Sequence, residues 1–165
     1  MQKIEPPDTF YLSAAVGWLE LGNHIEAYEE LERVSPQLWH HPAVLQVKYQ
    51  IFAKIKRWEV AHETAKFLVE QLPNRLVHWL QLAYASRRRE GGGIAEAWEV
   101  LRTAAALFPQ EPLIHYNLAC HSCRLGKLSE ARDELGRALE LARTVEMKSL
   151  ALQDPDLAPL WQVAA

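Results

Sequence analysis

Cysteine is scarce in this chain: Cys120 and Cys123 are the only two in 165 residues, too few for a disulfide framework. No apolar run is long enough to span a bilayer, and Met1 to Phe10 lacks the continuous hydrophobic stretch of a secretory leader. A soluble, cytoplasmic protein is therefore the default expectation. Strand patterning is missing too, as are a phosphate loop of the Walker kind, a dinucleotide glycine fingerprint, a nucleophile elbow and a zinc-protease histidine pair. Gly91-Gly92-Gly93 has no strand before it and no lysine-serine or lysine-threonine after it, so it reads as a turn. The carboxylates are many but fall on outward helices, where nothing excludes water. The expectation is a non-enzyme without metal or cofactor.

What the chain does have is a repeat. Ala27, Ala61, Ala97 and Ala131 recur at intervals of 34, 36 and 34 residues. Four residues after each stand Leu31, Ala65, Leu101 and Leu135, and three further on Val34, Leu68, Ala104 and Ala138. Offsets of 0, 4 and 7 mark one face of a helix. Gly22, Lys56, Gly92 and Gly126 stand five residues before the alanines, so each unit reads helix, turn, helix. Pro42 and Pro112 suit the first turn of a helix, where the missing donor costs nothing. The third unit carries two extra residues in its turn, Glu90 to Gly93, which should be mobile. A hairpin of this length cannot bury its apolar face alone, so neighbouring hairpins must stack to share a core.

A 34-residue helix-turn-helix period resembles the tetratricopeptide repeat over roughly residues 8 to 145. The family's early aromatic looks like Tyr11 and Trp79, its small residue like Ala15, Ala83 and Ala119, and its closing proline like Pro73 and Pro109. Unit two departs from it with the bulky Tyr49 at the small position. The resemblance implies an all-α, right-handed solenoid of about four helical hairpins in one domain, 1–165, with repeats at 8–41, 42–75, 76–111 and 112–145. Residues 146–165 form a C-terminal cap, with Asp154 capping a short helix that Pro155 begins, and Leu157, Leu160 and Trp161 supplying an apolar stripe. Such acidic-proline-leucine endings are similar to those of bacterial repeat proteins.

The resemblance also implies a concave groove lined by the first helix of each hairpin, and a non-catalytic protein-interaction module. Lys54, Tyr84, Arg87, Arg88, Tyr116, Asn117 and Arg124 are the candidate partner-binding residues. Basic residues gather on the first helices and acidic ones on the second, despite a net charge of −3, which favours an acidic peptide in the groove. Cations near a helix C-terminus are also favoured by the macrodipole alone. The lysines and asparagines that grip chaperone tails in some family members are missing, since Leu12 and Val16 stand in their place in unit one.

Leu12, Val16 and Leu19 instead form an apolar groove or dimer seam, which Ile4, Pro6 and Pro7 could equally cover. A self-associating, homodimeric client-specific chaperone built on that seam is the alternative function. His115, Cys120, His121 and Cys123 share one helix, and a zinc site normally draws on two separated pairs, so no metal is expected. Arg87-Arg88-Arg89 in an acidic chain is too small a footprint to predict nucleic acid. Trp18, Trp58, Trp79 and Trp98 fall at helical core phases, while Trp39 fills the gap after an early-ending second helix.

Overall fold

The computed structural model describes residues 3–162. Among these the regular structure is helical throughout, and the chain divides into two compact units that meet within the glycine run, at Gly91 and Gly92.

The first unit comprises α1 (Asp8–Glu20), α2 (His24–Glu32), α3 (Pro42–Lys54), α4 (Trp58–Gln71) and α5 (Leu76–Ser86). Each pairs with its neighbour in sequence, and α1 also reaches α3. Ala15 and Ala27 are wholly buried in one cluster with Leu31, Val34 and Ile51. Small side chains at these positions let the backbones of α1 and α2 approach. In the second hairpin Tyr49 stands opposite the buried Ala61 and is itself 6% exposed. Its hydroxyl leaves the crossing and donates to the Gln81 carbonyl of α5 at 3.1 Å, so the bulky residue ties two hairpins together. Burial, with Tyr84 nearby, pushes that hydroxyl's pKa up to about 12.

Helix α2 is five residues shorter than α4 and is followed by a single 3-10 turn, Pro36–Leu38. Trp39 then packs into the space, its indole N–H donating to the Val34 carbonyl at 2.9 Å. Trp39 also lines two cavities of about 40 and 110 Å³. His41 caps α3, its Nδ1 accepting the Ala43 N–H at 3.2 Å, with Pro42 in the first turn behind it.

The second unit comprises α6 (Ile94–Leu107), α7 (Pro112–Arg124), α8 (Leu128–Ala142), α9 (Val145–Gln153), a 3-10 turn at Pro155–Leu157 and α10 (Ala158–Gln162). Ala119, Ala131 and Ala138 are fully buried at the α7–α8 crossing. Trp98 of α6 donates to the Ser122 hydroxyl of α7 at 2.9 Å, and Lys127 lies 3.3 Å over its ring. His115 of α7 is 2% exposed, with Nδ1 2.6 Å from Glu134 Oε2 and Nε2 3.1 Å from the Pro109 carbonyl.

The twelve small and aliphatic residues of the repeat pattern are each 4% exposed or less. Gly22, Lys56 and Gly126 all take left-handed backbone in their turns. In the longer third turn the left-handed residues are Gly91 and Gly93, not the expected Gly92. The two extra residues move the reversal of direction off the repeat register. None of the helices is long and apolar enough to cross a membrane, among the described residues.

Candidate functional site

The first helices of the hairpins share a register. Gln46, Gln50 and Lys54 on α3 correspond to Leu80, Tyr84 and Arg88 on and just after α5, and to Tyr116, Cys120 and Arg124 on α7. Spacings of four and eight residues keep each trio on one helical face. Every trio ends in a cation at the helix C-terminus, where the macrodipole favours positive charge. The corresponding residues of α1 are Leu12, Val16 and Glu20, so the first hairpin has an acid in that place.

On α3, Gln50 and Lys54 are exposed and border a depression of about 300 Å³ whose other walls are Val16, Leu19 and Glu20. Gln46 points its Oε1 into the protein without a hydrogen-bond partner among the described residues.

On α5, Tyr84 is 49% exposed and Arg88 lies flat on it, the guanidinium carbon 3.3 Å from the ring centroid. Trp58 meets Tyr84 edge to face at 5.6 Å and lies 5.5 Å from the same guanidinium. Arg88 donates through Nη1 to the Tyr84 carbonyl at 3.1 Å. A guanidinium has five N–H donors, so stacking and one hydrogen bond orient it while most of its donor edge stays available. Arg87 is half-buried at the end of α5, and the following turn is tied to α4 because the Glu90 N–H donates to Glu59 Oε1 at 2.7 Å. That bond holds the Glu59 carboxyl below its ordinary pKa.

On α7 the equivalent face is covered. Tyr116, expected to be open to a partner, is 6% exposed, and its hydroxyl donates to Asp154 Oδ2 at 2.7 Å. The Cys120 thiol approaches the same oxygen at 3.6 Å, and the Asp156 N–H donates to Asp154 Oδ1 at 2.9 Å, closing a tight turn around Pro155. Arg124 Nη1 donates to Asp156 Oδ1 at 2.8 Å. Leu157 and Leu160 are buried beside Ala131, Leu135 and Ala138. Tyr116 and Arg124 thus grip the chain's own C-terminal segment. Trp161, the third residue of the expected stripe, is 43% exposed instead. Asn117 is half-buried, with its amide N–H₂ donating back to the Leu113 carbonyl at 2.7 Å.

Both thiols lie under this segment. Burial, followed by the Asp154 carboxylate, pushes the Cys120 pKa far up, and burial with Asp156 raises that of Cys123. His115 and His121 of the same helix are hydrogen-bonded elsewhere, His121 through Nδ1 to the Asn117 carbonyl at 2.8 Å. Among the described residues no group of three or more His, Cys, Asp or Glu side chains is placed to hold a metal ion.

At the other end, Ile4 packs into the α1–α3 cluster together with Leu12 and Leu19, both partly buried. Val16 is 37% exposed. The residues that sequence reasoning misses are Asp154 and Asp156 as partners of α7. From the sequence Asp154 reads only as a helix cap, and periodicity within a helix does not reveal which distant segment lies on it.

The arrangement of hairpins is shared with solved structures. MamA from Desulfovibrio magneticus RS-1 superposes with a TM-score of 0.71 at 20% identity, over 81% of this chain and 74% of that one. A thermophilic TPR protein of Thermus thermophilus superposes with a TM-score of 0.66 at 25% identity, over 94% of this chain and 82% of that one. The fold is tetratricopeptide-like. A double mutant of MamA RS-1 gives 0.74 at 19% identity, over 85% and 78% of the two chains. No protein-family model matches the chain, and no curated protein matches it in sequence. The tetratricopeptide-like hairpins account for the placement of the trios, since one face of every first helix is left to something other than its own second helix.

Proposed function

We propose that this protein is a non-catalytic protein-interaction module whose first-helix faces receive an acidic peptide segment. The observation that carries this reading is the grip of Tyr116 and Arg124 on Asp154 and Asp156: one such face already holds two carboxylates. Lys54 and Arg88 occupy the same register on the faces that remain exposed, with Tyr84 as an aromatic contact and Arg87 beside it at the end of α5. Aromatic side chains and arginine are the residue types that dominate binding energy at protein interfaces. Of the apolar trio behind the self-associating alternative only Val16 is exposed, which leaves little surface for a seam.

The test is capture of partners from lysate of the native host with the intact chain beside a Lys54→Glu, Arg88→Glu variant, each at low and high salt. The expected outcome is a partner held by the intact chain, lost from the variant and weakened by salt. A partner retained equally by both chains would overturn the acidic-ligand reading. Recovery of the chain alone would turn attention to self-association.

A further inference from the structure

The C-terminal segment shows what kind of acidic ligand a first-helix face of this protein accepts. Asp154-Pro155-Asp156 opens a single 3-10 turn: the Asp154 carboxylate caps it by accepting the Asp156 N–H, and Pro155 fixes the backbone between them. The turn presents its two carboxylates to donors spaced along α7. Cys120 and Tyr116 serve the first and Arg124 serves the second.

Thirty-six residues earlier the same register places Leu80 where Tyr116 stands, Tyr84 where Cys120 stands and Arg88 where Arg124 stands, so Tyr84 takes over the first carboxylate alone. Tyr84 offers a hydroxyl, a stronger donor than the thiol it replaces. Arg88 offers a guanidinium already oriented by stacking on Tyr84, so little side-chain freedom is lost when it pairs. Both are exposed, and Trp58 adds an aromatic edge beside them. Glu63, Glu59 and Glu90 are the nearby acids in sequence on α4 and its tied turn, and none forms an ion pair with Arg88 among the described residues.

The geometry points to a binding site at Tyr84 and Arg88 for an Asp-Pro-Asp turn carried by a partner peptide, read in the way α7 reads the chain's own tail. This rests on the acidic-peptide reading and narrows it: the ligand is a proline-rigidified pair of aspartates and not simply a negatively charged stretch. A proline-fixed turn also gives up less conformational entropy on binding than a flexible acidic run.

The experiment uses the full chain and a fluorescent peptide with the sequence of residues 150–162, followed by anisotropy. Two further probes are the same peptide with Asp154→Asn and Asp156→Asn, and a glutamate-rich peptide of equal charge without proline. The expected result is saturable binding of the first peptide, weakened about tenfold or more by Arg88→Glu in the protein and by the asparagine pair in the peptide. Lys66→Glu, at an exposed cation of α4 outside that register, should leave the binding undiminished. Arg88→Lys should fall in between, which guards against a folding defect, and circular dichroism checks each variant.

No binding of the first peptide, equal binding of its asparagine form, or loss through Lys66→Glu as large as that through Arg88→Glu would overturn the inference. If the glutamate-rich peptide binds through Arg88 at least as tightly as the aspartate turn, this inference falls while the acidic-face reading stands. If neither peptide binds, both fall.

Discussion

Lys56 holds a φ of 60° in the turn between α3 and α4, the place that Gly22 and Gly126 fill in their hairpins. A side chain in left-handed backbone costs about 1–2 kcal/mol, part of which a glycine returns through its freer unfolded state. Lys56→Gly should therefore stabilise the protein by about 0.5–1 kcal/mol, read as a rise of about 1–4 °C in the thermal midpoint. The buried thiols make a second prediction at this scale. The folded pKa values of Cys120 and Cys123 lie above the ordinary 9.0 of a thiol, so folding favours the protonated form. Their contribution is complete below about pH 8.5, and it is lost as pH rises because the unfolded chain releases protons that the folded chain keeps. Denaturant midpoints measured from pH 7 to 10 should fall across the upper half of that range, and Cys120→Ala should flatten the fall.

Among the elements, the hairpins were largely legible in the sequence and the tail only in part. Alanine at a helix crossing is a strong constraint, because a larger side chain would force the backbones apart, and that is why Ala27, Ala61, Ala97 and Ala131 locate four second helices. Tyr49 broke the pattern without breaking the fold because its hydroxyl finds the Gln81 carbonyl across the hairpin boundary, an interaction no local spacing encodes. The cap was visible in Asp154, Pro155 and Leu157, but not its use of Tyr116 and Arg124, which lie 38 and 32 residues away in sequence. The pairing of α6 with α7 rests on a similarly hidden bond. Trp98→Phe should leave the fully buried Ser122 hydroxyl without its donor and put a smaller ring beneath Lys127. The expected loss is about 1–3 kcal/mol in chemical denaturation, and Ser122→Ala in the same chain should recover part of it.

The whole molecule comprises two compact units that meet in the glycine run, with the third hairpin's first helix in one and its second helix in the other. An exposed turn built on glycines is a preferred site for proteolytic nicking. Brief digestion with subtilisin should first cut between residues 89 and 93 and give two fragments matching the units, detectable by mass spectrometry. Early cleavage within α3 or α7 instead would contradict that division. The charge pattern is also a property of this scale: a chain of net charge −3 places Lys54, Arg88 and Arg124 at one repeated register. The C-terminal segment that meets Arg124 has a consequence for how such arrays end. Leu157 and Leu160 are buried with apolar side chains of α7 and α8, so the segment works as punctuation, occupying surface on which another hairpin would otherwise stack. Held by one tyrosine, one arginine and two leucines, it should be portable: moved behind an earlier hairpin given that same tyrosine and arginine, it would write a shorter array.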